Sequence, residues 1–459
     1  MSNNVIRSVL LLGVFLLFPA LAEAQRAPSV GSAAGFGMGG MTEARGGEAI
    51  LWNPALIGVF DGPSASWSVF AFNVEPADFP LAHSLYKNRN ALREGSRRLL
   101  GEGTRDTFRK WAGNQDVSHL TGTGTIQWFG VQSEDLAVSL TSILDLDVQL
   151  PSRALRIAAG DEAARLDVIS GGDMDRASRL DSRGAMLSVL SVGTGQSVGV
   201  LDYLGPTWIG GAFKVAHVHS HVRGDVRFGE ASQLARAPNG GLRHPGMHIR
   251  EGEVGFEYSE LDVRSGRIYS FDAGAAFNPW GPVFVSATLA NAVQWNSLSA
   301  DGVIYRRFIF AGADSTSNPM AFVEEERLES FSGDRPWISD AEHLVAATHL
   351  MPSLRIGASL DTYTGRFYAA GALALSSDIA IDRHASDQLS FGFQLFHELE
   401  PRLSYTRRFD GSQVFEIGGA RGGCLLSYSA SVGYIARPHA PGSITLSFSR
   451  SQGQPPCGT

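Results

Sequence analysis

The fold this sequence predicts is all-β, a transmembrane antiparallel β-barrel of about fourteen strands, with twelve to sixteen allowed, preceded by an N-terminal plug and carrying a small helical insertion. Three observations predict it: an export signal at the N-terminus, recurrent strict alternation of apolar and small polar residues, and wet faces built of Ser, Thr and Gly. A surface facing bulk water would use Lys and Glu there. This chain of 459 residues has only three lysines, Lys87, Lys110 and Lys214. Its 53 glycines and 18% charged residues suit strands with one oily face and one crowded polar face. The net charge of -8 provides no global basic field, which argues against nucleic acid as a partner.

The export signal comes first. Arg7 supplies a positive start, Val9 to Phe18 are almost wholly apolar, and Ala22-Glu23-Ala24 forms a small-x-small cleavage site. Residues 1–24 therefore read as a signal peptide and Gln25 as the mature N-terminus. The apolar stretch is short for a membrane helix, and no later window reaches the roughly 18 apolar residues such a helix needs. An exported chain of this kind enters a membrane by strands.

Residues 25–62 show no long strand and read as a plug, or hatch, segment. Alternation then begins and defines a barrel over 63–450. Leu136, Val138 and Leu140 oppose Ala137, Ser139 and Thr141, and Leu354, Ile356, Ala358 and Leu360 oppose Ser353, Arg355, Gly357 and Ser359. Leu389, Phe391, Phe393 and Leu395 alternate with Ser390, Gly392 and Gln394; Tyr428, Ala430, Val432 and Tyr434 alternate with Ser429, Ser431 and Gly433. Successive side chains on a strand point to opposite faces, so each run has an oily face and a wet one. Strands are expected at 64–73, 122–131, 134–144, 186–194, 206–217, 218–228, 252–263, 267–277, 282–293 and 303–311. The series continues at 353–361, 366–376, 388–398, 402–408, 413–419, 424–435 and 443–449, and some of these seventeen are surplus to a barrel of fourteen. Stretches 145–205 and 294–350 are too irregular to fix the number. Phe367, Tyr434 and Phe448 fall near strand ends, as interfacial girdles require.

Residues 80–112 break the strand pattern with apolar residues at helical spacing, divided at Gly101 and Gly103. Basic residues outnumber acidic ones there, which suits either a loop cap or a helix lying on an anionic membrane surface. The tail 451–459 follows the last strand.

The strongest local signal is Gly46-Gly47-Glu48-Ala49-Ile50-Leu51-Trp52-Asn53-Pro54-Ala55-Leu56-Ile57-Gly58, between the signal peptide and the first strand. Asn53 can bond its own backbone two residues on, and Pro54 fixes φ where the helix-like segment Met41–Leu51 must end. This stretch resembles the mature N-terminus of the long-chain fatty-acid outer-membrane transporter superfamily, and Trp52, Asn53, Pro54 and Ala55 carry the resemblance. It implies a fourteen-stranded barrel whose N-terminal segment folds inside as a plug, and movement of hydrophobic or amphipathic small molecules across the outer membrane. The related outer-membrane shuttle of the type IX secretion system implies an alternative, a barrel that receives or anchors exported proteins or other envelope components. The chain shows no counterpart of the family's ligand-pocket residues, so it reads as a divergent member with an open ligand identity. The expected partners are outer-membrane lipid and a hydrophobic ligand.

Other constellations are weaker. His217, His219 and His221 recur at period two and would share one strand face, but side chains so spaced stand nearly 7 Å apart, so one ion reaches two of them at most. No resident metal and no cofactor are expected. The sequence has no Gly-x-Ser-x-Gly elbow, no His-Glu-x-x-His and no phosphate-binding loop, and it does not read as an enzyme. Asp202, Asp225, Asp262 and Asp272 are expected to line the lumen. The two cysteines, Cys424 and Cys457, are expected to pair, since strand parity places both at the periplasmic rim of an oxidising compartment.

Overall fold

The structure, a computed structural model, describes residues 40–60, 63–74, 106, 109, 117–151, 180–199, 205–230, 254–263, 265–298, 303–311, 321–327, 348–375, 388–395, 400–408, 412–422, 427–436 and 443–453. Seventeen strands lie among them. They are β1 (Ser64–Val74), β2 (Val117–Ser133), β3 (Leu136–Pro151), β4 (Leu180–Ser197), β5 (Thr207–Glu230), β6 (Val254–Val263), β7 (Gly266–Trp280), β8 (Val283–Leu298) and β9 (Val303–Ala311). The rest are β10 (Ala321–Arg327), β11 (Ser353–Asp361), β12 (Gly365–Ala374), β13 (Gln388–Leu395), β14 (Pro401–Arg408), β15 (Gln413–Gly422), β16 (Ser427–Ala436) and β17 (Ser443–Gly453).

Every pairing is antiparallel, and fourteen strands form a cycle. Its order is β1, β2, β3, β4, β5, β7, β8, β11 and then β12 to β17 in succession. β1 pairs with β17 on one side, from Ser64↔Gly453 to Val74↔Ile444, and with β2 on the other. A cyclic sheet has no unpaired edge, which a strand-built membrane protein requires. The other three strands extend β5 outward: beyond Val218 it leaves β7 and pairs with β6, β6 pairs with β9, and β9 with β10.

Alternation becomes facing as anticipated, with the polarity of a soluble protein reversed. On β11 the polar Ser353, Arg355 and Ser359 are buried, while Ile356 and Leu360 are 50% and 44% exposed. On β3, Ser139 and Thr141 are buried and Leu136 is exposed; on β13, Ser390 and Gln394 are buried and Leu389 and Phe391 exposed. Large apolar side chains pointing outward all round a cyclic sheet need hydrocarbon around them, so the strands are membrane-spanning. No helix among the described residues is long and apolar enough to cross a membrane.

Three connections at one end are tight. Glu134-Asp135 joins β2 to β3, with Glu134 at φ 51°, Gly281-Pro282 joins β7 to β8, and Thr362–Thr364 joins β11 to β12. The opposite end carries the long connections, such as 75–116 and 152–179.

The expected strands 206–217 and 218–228 are one continuous strand, because the break between them is a bulge at His219. Met186 pairs Ser220 and Leu187 pairs Val218, leaving His219 as the extra residue. β10 lies in a stretch too irregular to assign from sequence, since Phe322-Val323-Glu324-Glu325-Glu326 hardly alternates. Of the expected helical insertion 80–112 only Asp106 and Arg109 are described; both are helical and form an exposed 3.1 Å ion pair.

Candidate functional site

Residues 40–60 form a chain of short helical turns, Gly40–Glu43, Gly46–Glu48, Ala49–Trp52 and Leu56–Val59. Met41, Ile50, Trp52, Leu56 and Ile57 are completely buried. What covers them is the inner face of the strands, on which the facing positions are small: Ala137, Ala212, Ala276, Ala370 and Ala372 belong to the same apolar cluster. At Gly210 a Cβ would collide with the backbone of Pro54, and at Gly274 with the Asn53 carboxamide. Glycine lets the wall approach the segment at those two points.

Polar side chains from around the ring hold the segment's backbone. Gln132 of β2 donates from Nε2 to the carbonyls of Ile57 and Phe60, each at 2.9 Å. Arg355 of β11 donates to the Leu51 carbonyl at 3.1 Å, and Ser286 of β8 to that of Met41. Helices this short leave most of their carbonyls without an internal partner, so these donors satisfy groups that burial would otherwise penalise.

Asn53 is the pivot. It is extended, with φ -154° and ψ 110°, as the residue before a proline must be. Its Oδ1 accepts from the Ala55 N–H at 3.0 Å, the local turn its type predicts. Its Nδ2 donates to the carbonyls of Ala275 on β7 and Ala287 on β8, at 3.0 and 3.2 Å. One side chain therefore fixes the turn and staples it to two strands.

A charge cluster secures the segment's start. Glu43 meets Arg402 of β14 at 3.2 Å and Arg366 of β12 at 3.6 Å, and these arginines also pair with Glu400 and Asp361. Arg45 sits 4.6 Å over the Phe60 ring.

Along β4, β5 and β7 the inner wall changes in three steps. Nearest the tight turns are the small residues that face the segment: Gly195, Gly210, Ala212, Gly274 and Ala276. Next come Ser191, Lys214, Ser270 and Asp272, all buried. Lys214 pairs with Asp272 at 2.5 Å, Asp272 accepts from the Asn291 backbone N–H at 2.7 Å, and Ser270 donates to Asn291 at 3.1 Å. Asn291 sits at φ 53° where the β7–β8 register slips. Beyond them lies an apolar layer with Leu187 and Val189 of β4, Ala216 and Val218 of β5, and Ile268 of β7. Lone aspartates and a lone lysine in sequence carried no signal for this layering; the pairing register creates it.

Among the expected lumen aspartates, Asp272 is buried inside as anticipated, Asp202 lies outside the described residues, and nothing is described of the side chains of Asp225 and Asp262. The three histidines do not share a face. The His219 bulge leaves His217 and His219 outward, rings 4.7 Å apart, and turns His221 inward, where it is buried. Cys424 and Cys457 lie outside the described residues.

No protein-family model matches the chain, and no curated protein matches it. Solved structures do. A variant of the TodX monoaromatic hydrocarbon channel lacking S2 superposes with a TM-score of 0.50 at 10% identity, covering 90% of this chain and 96% of that one. The CymD monoaromatic hydrocarbon channel gives 0.50 at 10% identity, covering 92% and 97%. This chain has the fold of those channels. The resemblance carried by Trp52, Asn53, Pro54 and Ala55 is thus matched by a fold-level likeness along nearly the whole chain. In this channel fold, those four residues lie buried against the inner wall.

Proposed function

We propose that this chain resides in the outer membrane and moves a hydrophobic or amphipathic small molecule through its lumen, with residues 25–62 acting as the plug. The observation that carries the reading is the layered inner wall. The apolar layer on the long-connection side, packed in one cluster with Leu350, suits the passage of an apolar molecule, the Lys214–Asp272 layer excludes bulk passage of water, and the Asn53 turn closes the path. The plug is held by hydrogen bonds and ion pairs on a small-residue wall, contacts that can be broken without opening the strand ladder. The two structural neighbours named as monoaromatic hydrocarbon channels support this substrate class.

The test is uptake of a radiolabelled monoaromatic hydrocarbon by cells carrying the full chain, a chain lacking residues 27–60, or no added barrel. The full chain should raise uptake above the no-barrel control. The deletion should change the permeability of an assembled barrel, because the described residues of this stretch, 40–60, form helical turns and no strand of the cycle. No gain over control by the full chain refutes the transport reading. A deletion that fails to assemble refutes the gating role.

A further inference from the structure

The outward wall of β3, β4, β5, β7 and β8 is ordered in rows of register partners. One row is Val138, Val192, Phe213, Phe271 and Val293; the next, away from the tight turns, is Leu140, Leu190, Val215, Tyr269 and Trp295. The following row is Ser142, Ser188, His217, Arg267 and Ser297. The switch from apolar to polar is abrupt on β5, β7 and β8, whereas on β3 and β4 the apolar partners Leu144 and Met186 follow one row further on. None of the fifteen residues in these three rows is acidic.

The polar row is built. The His219 bulge brings a second imidazole edge-on to His217, with ring centroids 4.7 Å apart. Nε2 of His219 lies 2.7 Å from the Ser188 hydroxyl, which lies 3.2 Å from that of Ser142, and Ser142 accepts from the Trp128 indole at 2.8 Å. Beside this chain Tyr269 and Trp295 stack with centroids 5.4 Å apart, and Phe213 packs 6.2 Å from Tyr269. Cations and donors on a wall that otherwise meets hydrocarbon are costly unless they sit at the polar boundary or hold an anionic ligand.

Their height identifies the boundary. His217 is ten residues from the start of β5 at the tight-turn end. At about 3.3 Å per residue and a tilt of about 40°, that is roughly 25 Å along the barrel axis, the height of the apolar band of such barrels. The aromatic row then lies at the interface, and Arg267 with the two imidazoles just beyond it, on the long-connection side that faces outward in barrels of this kind.

We propose that this row is a headgroup site for a phosphorylated glycolipid of the outer leaflet. Arg267 and the imidazole N–H groups of His217 and His219 donate to the phosphate, Ser142 and Ser188 meet sugar hydroxyls, and Tyr269 and Trp295 pack on the border between sugar and acyl chain. A guanidinium beside imidazole donors matches a lipid-borne phosphate in charge and geometry. The site is on the outer wall, and it does not depend on what passes through the lumen.

Native mass spectrometry of the full chain in detergent tests it, with three added lipids: bis-phosphorylated lipid A, its dephosphorylated form, and phosphatidylglycerol. The barrel is expected to retain lipid A in preference to both others. The triple variant H217Q/H219Q/R267Q should lower that retention by at least about five-fold, the effect of one cation near a charged lipid surface. Retention of the dephosphorylated form should not change. S188A, which frees His219 from its partner, should give a smaller loss. Variants are compared only where boiling still shifts their gel mobility, which shows an assembled barrel. If the triple variant does not assemble, R267Q alone carries the test. Equal retention of phosphorylated and dephosphorylated lipid A, equal retention of phosphatidylglycerol, or full retention by the variants would each overturn the assignment.

Discussion

Replacing Asn53 by alanine should loosen residues 40–60 while leaving the strand cycle intact. The structure sets the size of the effect. The substitution removes three neutral hydrogen bonds, one to Ala55 and two to the carbonyls of Ala275 and Ala287. Each is worth about 1 kcal/mol net. The two strand carbonyls belong to residues of the β7–β8 ladder, so their loss of Asn53 carries less than a full desolvation penalty. A cost of about 2–3 kcal/mol follows, or a roughly 30- to 150-fold rise in the open population of the segment, at 1.4 kcal/mol per factor of ten. Hydrogen exchange reads this directly. Amides of 49–60 should exchange faster by that factor in N53A, while those of β12 to β16 serve as an unchanged internal control. Asn53→Asp keeps the acceptor for Ala55 but points a carboxylate at two carbonyls, so it should loosen the segment further. Unchanged exchange over 49–60 in N53A, or equal acceleration in the segment and the strands, would refute the claim that this side chain fastens the segment.

Three further outcomes follow from the structure. Lys214→Met leaves Asp272 buried without its cation and should cost about 3–5 kcal/mol, seen as a lower temperature for the heat-induced gel shift, whereas K214M/D272L should recover most of it. The protein should begin at Gln25 by N-terminal sequencing and migrate differently before and after boiling; equal mobility, with the protein in the soluble periplasmic fraction, would count against the membrane reading. Cys424 and Cys457 should be bridged in unreduced peptides. Ser427 pairs with Ser451, so the chain enters β16 and leaves β17 at the same end of the sheet. A bridge closing 32 intervening residues contributes at most about 3–4 kcal/mol, and finding both cysteines alkylatable without reductant would refute it.

Much of the architecture was legible because membrane barrels impose a rule with period two. Leu354, Ile356 and Leu360 against Ser353, Arg355 and Ser359 already state which face meets lipid, and β9 and β11 begin and end where alternation places them. The Asn-Pro pair likewise announced its own turn, since the bond from Oδ1 to a backbone N–H two residues on is local. Signals of that kind need no partner from elsewhere in the chain.

Tertiary structure decided whatever depends on register. The His219 bulge merges two expected strands into β5 and separates His221 from His217, and one extra residue cannot be seen in a pattern that continues on either side of it. The excursion through β6, β9 and β10 depends on pairings between strands far apart in sequence. Lys214, Asp272 and Asn291 become one cluster only because β5, β7 and β8 are adjacent in this register. Alternation fixes which way a side chain faces, a property of one strand. Which side chains then meet is a property of pairs of strands, and only the folded sheet sets it.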